Sequence, residues 1–108
     1  MKEYMVILVI GIVFLSGCLQ AQPKLTEKDV AIKACKTACE NARIKGENLE
    51  NGPCLLNPIQ EVQNWVCDVA HSPREAVDNQ RENQCSEYGK TAKHFVEVDP
   101  SCEFIKAI

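Results

Sequence analysis

The sequence lacks an excess of positive charge: 12 Lys and Arg stand against 15 Asp and Glu in 108 residues, for a net charge of −3. With no cationic surplus to neutralise a phosphate backbone, nucleic acid is not an expected partner. The chain is too short for a two-domain enzyme, since domains usually run to roughly 100–200 residues. It has no apolar run long enough to cross a bilayer: the longest, Met5–Leu15, holds 11 residues, where a spanning helix needs about 20. Signatures of catalysis are missing as well. There is no Gly-x-Ser-x-Gly elbow to present a nucleophilic serine, no Cys-x-x-Cys redox pair, and no His-Glu-x-x-His or Asp-x-Asp-x-Asp-Gly metal pattern. No enzymatic activity and no cofactor are therefore expected. Asn-x-Ser/Thr is absent too, so N-glycosylation is not expected.

What the sequence has is cysteine, seven in all. The first, Cys18, closes a leader with the layout of a secretory signal: Lys2 in a short n-region, the apolar run, then the small residues Ser16 and Gly17. Leu15-Ser16-Gly17-Cys18 resembles the lipobox of prokaryotic lipoproteins. That resemblance implies cleavage before Cys18 and attachment of two lipid chains to it, the double anchor that one chain cannot supply. The alternative is an ordinary cleaved signal with Cys18 incidental. The expected organisation is a signal peptide at residues 1–17, a lipidated Cys18 with a short tether at residues 18–25, and a cysteine-rich domain at residues 26–108. The expected location is extracytoplasmic, on the outer face of the cytoplasmic membrane.

Cys35, Cys39, Cys54, Cys67, Cys85 and Cys102 remain, an even number in a small exported domain, which predicts three disulfides. Six cysteines allow 15 pairings. Proximity along the chain favours Cys39–Cys54, leaving Cys35 to reach Cys67 and Cys85 to reach Cys102.

The domain reads as α+β. Thr26 is placed as N-cap and Gly46 as stop for a helix to about Lys45, with Glu27 and Asp29 in its first turn. Ala31, Ala34, Cys35, Ala38, Cys39 and Ala42 recur at three- and four-residue steps, giving a narrow face of small side chains. Residues 46–58 carry too many Asn, Gly and Pro for regular structure and read as loop. Val62–Val69 reads as a strand with Trp65, Cys67 and Val69 on one face. Trp65 is expected to roof the helix, with an exposed ligand platform as the alternative. Ser72–Glu75 reads as a capping box opening a short helix to about Asn79. Strands are expected at Lys93–Val98 and Glu103–Ala107, around a turn at Asp99-Pro100-Ser101. Together these make one long N-terminal helix on an antiparallel sheet of about three strands, stapled by disulfides.

Cys35 and Cys39 on one helix resemble half of the cysteine-stabilised αβ scaffold of defensins, although the Cys-x-Cys strand that receives them there is missing and no activity is carried over. Asn51-Gly52-Pro53-Cys54, Trp65–His71, and Asp78-Asn79 before Asn83-Gln84-Cys85 resemble uncharacterised cysteine-rich domains of secreted archaeal proteins. This implies an ether-lipid anchor and disulfides credible even in a hyperthermophile, and no known activity.

Two readings of function follow. The first is a binding or structural module at the cell surface. Its contact surface is the polar loop Ser72–Gln84, with Arg74, Glu75, Asp78, Asn79 and Arg81, facing a cell-surface protein or glycan. The second is a metal-binding or metal-dependent protein using Asp68, His71 and Glu75, with Asp78 and His94 near by, since histidine and carboxylates suit divalent ions.

Overall fold

A computed structural model describes residues 24–108. The expected leader and Cys18 lie outside the described residues. Helix α1 (Glu27–Ile44) starts where the Thr26 hydroxyl accepts the Asp29 N–H at 3.1 Å and the Asp29 carboxylate accepts the Thr26 N–H at 3.2 Å. This reciprocal box satisfies two amides that the first turn leaves open. The helix stops at Gly46, whose φ of 79° suits a residue without Cβ. The N–H groups of Gly46 and Glu47 return to the carbonyls of Arg43 and Ala42, both at 3.0 Å.

Four strands follow, β1 (Cys54–Leu56), β2 (Trp65–Val69), β3 (His94–Val98) and β4 (Phe104–Ala107), and they lie in the sheet in chain order. The outer pairings β1/β2 and β3/β4 are antiparallel, while the central pair β2/β3 is parallel. The architecture is thus α+β with a mixed four-stranded sheet, which corrects the expectation of about three antiparallel strands. The helix is the first described element, but it begins at residue 27 and not at the chain's N-terminus.

A parallel pair requires a crossover, because the chain must return to the starting edge before the second strand can begin. Here the crossover is residues 70–93, with short 3-10 turns at Ala76–Asn79 and Arg81–Asn83 and no α-helix. The segment covers the sheet face opposite α1. Ala31, Cys35, Cys39 and Ala42 of the helix pack with Trp65, Cys67, Val69, Val96 and Val98 in one core. Val66, Cys85 and Ala92 form a smaller one, with Cys54 and Phe95 against it. With both faces covered, every residue of β2 is buried. Trp65 sits in the helix-side core, stacked on His94 with ring centroids 4.7 Å apart, and is no exposed platform.

β2 starts at Trp65, not Val62, because Asn64 takes a φ of 77° and breaks the extended run. The Asn64 side chain accepts the Lys93 N–H at 2.7 Å, fixing the end of the crossover beside the start of β2. The expected helix after Ser72 is reduced to the 3-10 turn Ala76–Asn79, since buried Asp78 draws the N–H groups of His71 and Glu75 inward at 2.8 and 2.9 Å.

Three disulfides tie the layers: Cys35–Cys67, Cys39–Cys102 and Cys54–Cys85. The expected Cys39–Cys54 and Cys85–Cys102 pairs are not formed. Cys54 and Cys85 both belong to the outer-face core, whereas Cys39 faces the helix-side core together with Cys102. The sheet therefore separates Cys39 from Cys54 despite their closeness in sequence. Among the described residues, no helix is long and apolar enough to cross a membrane.

Candidate functional site

The parallel register sets Asp68 of β2 opposite Glu97 of β3, on the sheet face away from α1. Both are buried, at 8% and 6% exposure. Two carboxylates placed side by side out of water cannot both ionise unless cations compensate. Glu97 receives both cations: Arg74 Nη1 donates to its Oε1 at 2.9 Å, and Lys106, its register partner on β4, lies 4.0 Å from Oε2. Asp68 is left with a buried Oδ1 that has no hydrogen-bond partner. Burial first, and the Glu97 charge second, push its carboxyl up to about 7, with Arg74 opposing. Below about pH 7 the Asp68 carboxyl therefore keeps its proton, and as an acid it can both donate and accept a hydrogen bond.

These groups line a cavity of about 250 Å³ whose wall continues through Val66, Gln84, Tyr88 and Phe95. Tyr88 meets Phe95 edge to face at 5.4 Å, and Lys106 Nζ lies 5.6 Å from the Phe95 ring centre. Arg74 is held in place from its own loop, with Nε donating to Asn79 Oδ1 at 2.8 Å and Nη2 to the Asp78 carbonyl at 3.1 Å. Gln84 Nε2 donates to the same carbonyl at 2.6 Å. A larger hollow of about 490 Å³ runs along α1 past Leu25, Val30, Ala34, Ala38 and Leu56. It lacks convergent buried polar groups to fix a ligand, so the smaller cavity is the better chemical candidate.

His71, Glu75 and Asp78 form a separate cluster. Asp78 is 2% exposed. Its Oδ1 lies 2.9 Å from His71 Nδ1, while His71 Nε2 faces Glu50 at 3.1 Å and Glu75 at 3.5 Å. The Glu50 hydrogen bond raises the His71 pKa; burial opposes it, and Asp78 and Glu75 add to it. Burial would raise Asp78, but the backbone N–H groups of Glu75 and His71, together with the His71 ring, outweigh it and hold Asp78 below the usual carboxylate range. With both ring nitrogens engaged, His71 is a clamp that joins the Glu50 turn to the crossover and has no nitrogen free for a metal.

The expected metal set is accordingly not gathered. Asp68 belongs to the cavity with Glu97, His71 and Glu75 belong to the clamp, and His94 stacks on Trp65. Among the described residues, no group of three or more His, Cys, Asp or Glu side chains is placed to hold a metal ion. The expected contact loop is also divided. Glu75, Asn79 and Arg81 are exposed, Asp78 is an internal anchor, and Arg74 turns its guanidinium onto Glu97.

Gly52 sits against this anchor with a φ of 65°, and a Cβ there would meet Asp78 Oδ1 at 2.5 Å and the Val69 carbonyl at 3.2 Å. Gly52→Ala is expected to destabilise the domain by about 2–4 kcal/mol, combining left-handed backbone strain with displacement of a buried carboxylate. Urea unfolding measures it, and a loss below about 0.5 kcal/mol means that the Asp78 anchor is not rigid.

Reasoning from sequence did not single out Glu97, Lys106, Tyr88, Phe95 or Glu50. One signal was present: a carboxylate interrupts each of the apolar stretches Val66–Val69 and Phe95–Val98, and an acid inside a buried strand requires a partner. Compared with family models, curated proteins and solved structures, the chain matches none.

Proposed function

We propose that the chain is a lipid-anchored extracytoplasmic protein whose disulfide-stapled α+β domain is a binding module, holding a cell-surface protein or glycan near the outer face of the membrane. The observation that carries this reading is the set of three disulfides joining helix, sheet and crossover. Such cross-links persist in oxidising compartments and replace a large core in small exported domains. A rigid scaffold of this kind holds exposed Glu75, Asn79 and Arg81 at low entropic cost on binding. The lipobox-like Leu15–Cys18 supplies the anchor.

The test is the intact mass of membrane-extracted protein before and after reduction and alkylation. A chain beginning at Cys18 with a lipid adduct, and six thiols that alkylate only after reduction, is the expected result. An unlipidated chain with thiols free before reduction overturns both the location and the anchoring.

A further inference from the structure

Taking the binding-module reading as its basis, we infer that the cavity between the sheet and the crossover takes one ring of a neutral sugar, with hydroxyls on Asp68, Glu97, Arg74 and Gln84 and an apolar ring face against Tyr88 and Phe95. Three observations lead to this ligand class. The cavity, about 250 Å³, is smaller than the roughly 300–1,000 Å³ that drug-sized ligands occupy, and suits a single ring. Its charges alternate in sign: Arg74 and Lys106 flank Glu97 beside Asp68. A cation meets two like charges there and an anion meets at least one, whereas a neutral ligand meets none. Its polar groups are also mixed in kind. Arg74 and Lys106 only donate, Glu97 only accepts, and Gln84, with its Nε2 committed to the Asp78 carbonyl, offers its amide oxygen. A hydroxyl donates and accepts at one atom, so a polyol matches such a set better than an amide or a carboxylate does.

Asp68 marks the site as built for an occupant. A carboxyl 8% exposed, lining the cavity, with an oxygen lacking any partner, is rare in a folded protein and calls for a missing hydrogen-bonding group. Tyr88 is half exposed, at 50%. With Phe95 it presents the rigid apolar wall on which the C–H face of a sugar ring can lie.

The experiment titrates the oxidised, detergent-solubilised full chain with glucose, galactose, mannose and N-acetylglucosamine, following backbone amide shifts by NMR. At least one sugar is expected to give saturable shifts confined to the amides of Val66, Asp68, Gln84, Tyr88 and Phe95. Tyr88→Ala, at a half-exposed position, should weaken binding by about tenfold or more. Asp68→Asn keeps one donor and one acceptor and should bind within about threefold of the parent, whereas Asp68→Leu should not bind. Absence of saturable shifts with all four sugars overturns the inference. Acetate and methylammonium are titrated in parallel: if either saturates these same amides the module reading survives with an ionic ligand, and if neither does the cavity is not a binding site. Sugar shifts that persist in Tyr88→Ala and Asp68→Leu also overturn it.

Discussion

Reducing the three disulfides is expected to unfold the domain outright. The bonds close loops with sequence separations of 32, 63 and 31 residues, each worth about 4 kcal/mol in a chain-entropy model, against a typical total stability of about 5–15 kcal/mol. The core has little to set against that loss. Its large buried side chains are Leu49, Ile59, Trp65 and the valines at 66, 69, 96 and 98; the rest are alanines and the half-cystines themselves. Removing Cys39–Cys102 by a double Ala substitution should cost most, because it opens the longest loop. Relief of the strained Cys102 backbone, with a φ of 66°, offsets only part of that cost. Removing Cys54–Cys85 should cost less, because Asn57 still holds the crossover through Ser86 Oγ at 2.9 Å and the Glu87 N–H at 2.8 Å. Urea melts with and without reductant measure these differences. A cooperative transition unchanged after all six thiols have been alkylated sinks the idea that the bonds carry the fold.

The second large effect is a gain. Asp68 holds its proton to about pH 7 in the native state, against an ordinary value of 3.8, so between those values the folded chain binds a proton that the unfolded chain has released. Its contribution therefore falls as pH rises through this window, and above pH 7 the full cost of a buried unpaired carboxylate is felt. Asp68→Asn removes the titration and should stabilise the domain by about 2–4 kcal/mol at pH 8, with little effect at pH 4. His71 also loses its contribution as pH rises through its raised pKa, while lowered Asp78 loses its contribution only in acid. The comparison of parent with Asp68→Asn cancels both. Parallel stability curves for the two proteins from pH 5 to pH 8 would show that Asp68 is ionised throughout and that its pairing with Glu97 has been misjudged.

The two carboxylates illustrate what a linear reading can reach. Asp68 was visible as an acid on the second face of a strand, but Glu97, 29 residues later, becomes its neighbour only because β2 and β3 run parallel in register. Strand direction is set by the path of the intervening chain, and the short helix expected from Ser72 to about Asn79 did not reveal that residues 70–93 form a crossover. The three residues of β1 were too few for an alternating pattern and lie between Gly52-Pro53 and Asn57-Pro58, where turn signals dominate. Asp78 looked like one more acid in a polar loop. Its burial depends on Gly52 approaching from another segment.

By itself the sequence determined the local structure: the limits of α1, through Thr26 and Gly46, and the positions of three strands within a few residues. It also determined the stock of six cysteines that makes this small core viable. These follow from capping, hydrogen bonding and periodicity, which act over a few residues. Only the tertiary structure decided which cysteines pair, which sheet face each sulfur joins, and which carboxylate goes without a cation. Those outcomes depend on contacts between residues up to 63 positions apart, whose partners are chosen by the path of the crossover over the sheet.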